Sequence, residues 1–166
     1  MKEVYASASD PDFVSPAERT ARIRRAAGRF CALRDWAPVA EMPLPNGRRA
    51  DILALCPDGG FVVIEVKSCA RDFLSDSKWP EYRDYCDRLF FAVDLDFPQD
   101  LLPEDTGLLV TDGLEASLLR EAPRHVLAPA RRRALLHRLA VVAAGRLAAL
   151  SDPAGAAELR AALRVE

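Results

Sequence analysis

Seven residues, Phe61-Val-Val-Ile-Glu65-Val66-Lys67, set an acid and a lysine at the end of an apolar run that reads as a buried strand. Side chains alternate along a strand, so Glu65 and Lys67 share one face. Burying such charges is costly unless they pair, hydrogen-bond or hold a metal. A third charge, Asp51, opens the preceding apolar segment Asp51-Ile-Leu-Ala-Leu55, and no other segment concentrates charge among apolar residues in this way. Any fold for this chain must therefore keep the 61–67 strand central and supply partners for its charged end.

The remaining pattern reads as a single α/β domain over residues 1–166, with a core at about 15–128 and C-terminal helices at about 129–164. Residues 1–14 are polar and read as loose. Ser15-Pro16-Ala17-Glu18 is a helix start, with Ser at the cap and Glu three residues on. Ile23, Ala26, Ala27, Phe30 and Leu33 then recur at helical spacing, and Arg19, Arg22, Arg25 and Arg29 form a basic stripe on the other face. Strands are expected at 38–44, 48–55 and 61–67, joined by the turn formers Asn46-Gly47 and Asp58-Gly59-Gly60, so this part of the sheet should be antiparallel. From Ser68 to Asp87 a loop and then a helix are expected, with Pro80 in its first turn. A strand at 89–93 comes next, and the intervening helix implies a crossover and a parallel pairing. Two short strands at 108–112 and 115–120 flank Asp112-Gly113. A long helix is expected from Pro129 to Leu150, with Leu135, Leu136, Leu139, Val142, Ala143 and Leu147 inward, and a short one at 154–164.

Whether Asp51 joins Glu65 and Lys67 depends on register. A two-residue loop pairing Pro57 with Gly60 sets Asp51 opposite Val66. A three-residue loop pairing Pro57 with Phe61 sets it opposite Lys67, on the face that carries Glu65. A shared site thus requires an odd-length loop. If the three converge, Asp51, Glu65 and the Val66 carbonyl suit Mg²⁺ or Mn²⁺. Such an ion lowers the pKa of a bound water and offsets phosphate charge, while Lys67 orients the attacking water or stabilises the transition state.

Arg48-Arg49-Ala50-Asp51, joined through a hairpin to Val63-Ile64-Glu65-Val66-Lys67-Ser68, resembles the PD-(D/E)XK nuclease superfamily. The stretch Lys78–Val93 and the segment Leu102-Pro-Glu-Asp-Thr106-Gly-Leu-Leu are similar to bacterial MmcB-type DNA repair proteins, and the likeness spans about residues 15–145. It implies a restriction-endonuclease-like mixed sheet of αβββαβ order, flanked by helices and extended by C-terminal helices. It further implies Asp51 and Glu65 as metal ligands and Lys67 as the catalytic lysine of a DNA-cleaving repair enzyme. Ala50 replaces the proline of the motif, a change of small geometric consequence. Some relatives in that superfamily keep the fold without cleavage, so a non-cleaving module that recognises DNA structures or a repair partner is the alternative.

Further candidates surround this set. Glu41 is either a third metal carboxylate or a solvent-facing strand residue. Glu18 is explained by the helix cap. Lys78 and Tyr82, four apart on the expected helix, and Arg49 and Ser68 are candidate DNA contacts. Asp72 meets water or substrate, or caps a turn, and Trp79 is better explained by core packing. Arg131, Arg132, Arg133, Arg138 and Arg146 form a second basic stripe. The net charge of −2 gives no bulk attraction to nucleic acid, so DNA must be bound by local patches. Cys31, Cys56, Cys69 and Cys86 lack paired C-x-x-C spacing and read as reduced thiols rather than a zinc site. No apolar stretch reaching about 18 residues is evident, which argues against a membrane partner and, with no apolar leader, for a cytoplasmic, nucleoid-associated protein.

Overall fold

Ser15 caps the first helix through its hydroxyl, which accepts from the Glu18 N–H at 3.2 Å, and Pro16 supplies a fixed backbone angle for the first turn. The computed structural model describes residues 14–163, so most of the stretch read as loose, and residue 164 of the last helix, lie outside the described residues. Helix α1 (Pro16–Leu33) leads into strands β1 (Ala37–Pro43), β2 (Arg49–Leu55) and β3 (Phe61–Lys67). A short helix α2 (Ala70–Ser75) and a 3₁₀ helix (Trp79–Tyr85) lead to β4 (Arg88–Asp94). Strands β5 (Gly107–Thr111) and β6 (Ala116–Arg120), then helices α3 (Pro129–Ser151) and α4 (Ala156–Leu163), complete the chain.

The six strands form one mixed sheet in sequential order, β1 to β6. Pairing is antiparallel for β1/β2, β2/β3 and β5/β6, and parallel for β3/β4 and β4/β5. The expected α/β architecture is therefore present, including the crossover that makes β3 and β4 parallel. All seven residues of β3 are buried, because helices cover both faces of the sheet at this strand. On one face Ile23, Ala27 and Phe30 of α1 pack on Ile52, Ile64, Val66 and Phe90. On the other, Leu135, Leu139 and Val142 of α3 pack with Tyr82 on Leu53, Phe61, Val63 and Leu89. Phe91 and Val93 continue that face under Trp79 and Phe73, and Trp79 meets Phe91 edge to face at 5.4 Å. Packing is thus the observed role of Trp79.

Several expectations need correction. Leu33 is exposed, because α1 ends there and the chain turns away through Asp35 at φ 58°. Leu136 and Leu147 of α3 are exposed; the helix touches the sheet along a narrower stripe than the sequence implied, and Gly145 is part of it. An 18-residue window within Pro129–Ser151 reaches a mean hydropathy of 1.4, enough by length and composition to cross a membrane. That overturns the reading that no such stretch exists. In this fold one side of that helix lies on the sheet, and Arg138 and Arg146 bond carbonyls of β1.

The four cysteines are free, with Cys31, Cys56 and Cys86 buried and Cys69 exposed.

Candidate functional site

Strands β2 and β3 pair from Leu55↔Phe61 to Ile52↔Ile64, and there the backbone ladder stops. Two carboxylates take over where the strands part. Asp51 Oδ2 accepts from the Val66 N–H at 2.8 Å, and Glu65 Oε1 accepts from the Asp51 N–H at 3.2 Å. The connecting loop has three residues, Pro57-Asp58-Gly59, closed by the Cys56 N–H on the Gly60 carbonyl at 2.8 Å. Gly59 takes the left-handed position at φ 77°. The loop is odd in length, as a shared face requires. Its pairing is displaced by two residues, so continuing the register sets Asp51 opposite Glu65 rather than opposite Lys67. Because the displacement is even, the face is unchanged.

Lys67 is buried on that face, but its ammonium does not reach back to the carboxylates. Its Nζ donates to Asp76 Oδ2 at 2.6 Å. Asp76 lies just past α2, and its other oxygen accepts from the Lys78 N–H at 2.8 Å. Sequence reading missed Asp76. The local signal was an Asx-turn, an aspartate accepting from the N–H two residues on. Its approach to Lys67 across an irregular segment left no periodic trace.

Glu65 is pushed up to about 9 by burial and, next, by the charge of Asp51. Asp51 is raised by burial, against which the Val66 N–H and the charges of Lys67 and Arg24 act. Burial would also raise Asp76, but the Lys67 ammonium and the Lys78 N–H hold it below the usual carboxylate range. The pair of opposed carboxylates is therefore short of positive charge. Asp51 Oδ1 and Glu65 Oε2 take no part in these bonds, and the Val66 carbonyl projects on the same side as its N–H, toward the gap. This oxygen set fits a hard divalent cation with water completing its shell. Among the described residues no group of three or more Asp, Glu, His or Cys side chains converges for a metal. The Glu41 carboxylate is instead engaged by Arg24 at 3.1 Å and Arg49 at 3.7 Å, and Glu41 adopts a left-handed φ of 48°.

The other candidates lie around this centre. Tyr82 is buried and donates its hydroxyl to the Arg49 carbonyl at 3.1 Å. Burial and the charges of Glu65 and Asp51 raise its pKa. Residues 79–85 form a 3₁₀ helix rather than the expected α-helix. Four residues at 3.0 per turn do not align, so Lys78, at the N-cap and exposed, does not share a face with Tyr82 in the expected way. Ser68 is buried and lines a groove between α1 and α2 with Arg24, Arg71 and Asp72. Arg49 is largely exposed, 68% for its side chain, at the mouth of the site. Glu18 gives its backbone N–H to the Ser15 cap, while its carboxylate, read as part of a capping box, pairs instead with Arg22 and Arg25.

Residues 10–154 match the family described as DNA repair protein MmcB-like. Among solved structures, the SPO1766 protein of unknown function from Silicibacter pomeroyi is similar. It is 43% identical, with a TM-score of 0.77, over 86% of this chain and 95% of that one. No curated protein matches the sequence.

Proposed function

The chain belongs to the MmcB-like DNA repair family, and from that premise we propose that it is a metal-dependent nuclease of the PD-(D/E)XK type, cleaving DNA phosphodiesters at the nucleoid. The observation that carries the reading is the reciprocal seating of Asp51 and Glu65 where β2 and β3 part. A buried acid, Glu65, opposed across a strand gap to a half-buried one, Asp51, is a costly arrangement for structure alone. Asp51, Glu65 and the Val66 carbonyl would hold Mg²⁺ or Mn²⁺. When bound, such an ion supplies Lewis acidity, an activated water and charge neutralisation at the phosphate. Lys67, released from Asp76, orients the attacking water and offsets charge that builds on the phosphate oxygens. Burial of the face excludes bulk water, which strengthens each of these interactions.

A second reading has its own support. Lys67 is committed to Asp76 by a short ion pair, an arrangement suited to a module that binds DNA structures or a repair partner without cutting. One experiment separates the two. Mn²⁺ titration by calorimetry on the wild type and on Asp51→Ala/Glu65→Ala is expected to show binding that the double variant loses. With Mg²⁺ or Mn²⁺, branched, flapped, nicked and single-stranded DNA are then screened for cleavage, with Lys67→Ala expected to be inactive. Metal binding without cleavage of any of them would favour the binding module.

A further inference from the structure

Four arginines converge beside the carboxylates, two of them from a helix outside the αβββαβ core. Arg48 lies just before β2 and Arg49 opens it, while Arg138 and Arg146 project from α3, and all four line a groove of about 470 Å³ with Glu41. The groove adjoins the centre directly, since Arg49 and Asp51 are two apart on β2 and share a face in a regular strand. Arg138 and Arg146 are eight apart, a little over two helical turns, so both reach the same side of α3.

The balance of charge in this groove differs from that of the chain as a whole. Arg48 forms a two-pronged pair with Glu81, both bonds at 3.0 Å, and is neutralised. Glu41 is shared between Arg24 and Arg49, leaving one positive charge over. Arg138 donates to the Pro43 carbonyl at 2.7 Å and Arg146 to the Glu41 carbonyl at 2.8 Å, with a second bond to Ala40. Carbonyls orient these guanidinium groups without cancelling their charge. The α1 stripe is differently engaged. Arg22 and Arg25 pair with Glu18, Arg19 pairs with Asp94 and Asp96, and Arg29 bonds the Leu114 carbonyl. On α3, Arg131 and Arg132 pair with Asp84 and Asp87, while Arg138 and Arg146, held by carbonyls, keep their positive charge at the groove beside the carboxylate pair; on α1 three of the four stripe arginines are paired with acids.

We infer that the groove between the β1–β2 hairpin and α3 binds the phosphodiester backbone of DNA next to the reacting phosphate, with Arg49, Arg138 and Arg146 as its cationic contacts. The inference rests on the proposed action on nucleic acid. It assigns α3 to substrate binding as well as to the core. Guanidinium groups held by carbonyls are preorganised for phosphate oxygens, which accept from them in the same forked geometry as a carboxylate. Backbone contacts of this kind carry no sequence information, so the groove would position DNA rather than select a sequence.

The test measures binding without chemistry. Fluorescence anisotropy of short labelled single-stranded and duplex DNA is monitored in EDTA, over a range of salt, for the full-length protein. Arg49→Glu, at an exposed rim position, is expected to weaken binding about tenfold and to lower the salt slope by about 1. Arg146→Gln is expected to lower the slope similarly, with folding checked by circular dichroism, and Arg49→Gln gives the same readout where α3 is untouched. Arg25→Gln, on the α1 stripe, is expected to bind as the wild type does. The single-stranded and duplex probes report which backbone the groove prefers. Wild-type binding that survives unchanged in both Arg49 variants overturns the groove assignment alone, as does an equal loss in Arg25→Gln. Wild-type protein that binds neither probe overturns the proposed action on nucleic acid itself. Polyglutamate bound as tightly as DNA would reassign the groove to an acidic protein partner.

Discussion

Glu65 shows how one side chain trades stability for chemistry. Its pKa of about 9 lies above the ordinary 4.5 because burial and the neighbouring Asp51 oppose its charge. Stability from a group raised in this way is fully present below pH 4.5 and is lost as pH rises toward about 9. In metal-free buffer the wild type should therefore weaken across that range. Glu65→Gln should flatten the decline and add about 1–2 kcal/mol at neutral pH. Urea denaturation across that pH range measures both, and a variant less stable than wild type at neutral pH would sink the idea. The three charged residues of the site were legible because a strand has period two and β3 is apolar on both faces. Loop parity followed from requiring a shared face, with a glycine at hand for the left-handed position, but not the pairing itself, since the loop closes Cys56 on Gly60 rather than Pro57 on Phe61. Asp76 was not legible, for it meets Lys67 through an irregular segment. Glu41 was ambiguous because its left-handed φ interrupts the alternation on which face assignment depends.

At the scale of elements, the join between β3, β4 and α3 turns on Asp87, which is 2% exposed. Its carboxylate accepts from the Phe61 N–H at 2.7 Å, the Leu127 N–H at 3.1 Å and both terminal nitrogens of Arg132 at 2.9 and 2.6 Å. Burial alone would raise its pKa, but Arg132 and the two N–H groups bring it down to about 2. A depressed carboxylate stabilises above its unfolded pKa of 3.8, and that contribution is lost as pH falls toward about 2. The expected loss is about 2 kcal/mol, which thermal melts through that acid range would register. Asp87→Ala leaves a cation and two N–H groups unpaired and should cost about 3–5 kcal/mol at neutral pH. A cost below about 1 kcal/mol would refute this role. The pairing also explains why arginines crowd the start of α3, which the helix dipole disfavours. The sequence displayed Arg131–Arg133 as one cluster, yet Arg132 turns inward while Arg131 pairs with the exposed Asp84. Period alone placed α1 and α3 correctly, but it overestimated the buried width of α3. A helix lying on the border of a sheet covers fewer of its apolar positions than one lying across the middle.

Taken as a whole, the molecule reads from its sequence as one domain with a core at about 15–128 and C-terminal helices attached. The boundary near residue 128 separates an apparent core from an apparent extension, but the second face of the sheet depends on the helix beyond that boundary. Leu135, Leu139 and Val142 cover Leu53, Phe61, Val63 and Leu89. Arg132 neutralises Asp87, and Arg138 and Arg146 satisfy carbonyls of the edge strand β1. Removing α3 would uncover three buried aliphatic side chains' worth of contact, each worth about 1.5–3 kcal/mol. It would also leave the buried Asp87 charge unpaired. The sum, about 7–14 kcal/mol, is comparable to the total stability of an ordinary domain, about 5–15 kcal/mol. A chain ending at Ala128 is therefore expected to show no cooperative transition in a circular-dichroism melt. A sharp transition within a few degrees of the full-length protein would mean that residues up to 128 fold alone. The expected result constrains function too, because two of the arginines that line the basic groove, Arg138 and Arg146, sit on the helix that completes the core. Binding surface and fold then cannot be separated by truncation, and only point substitutions at exposed positions such as Arg49 can dissect them.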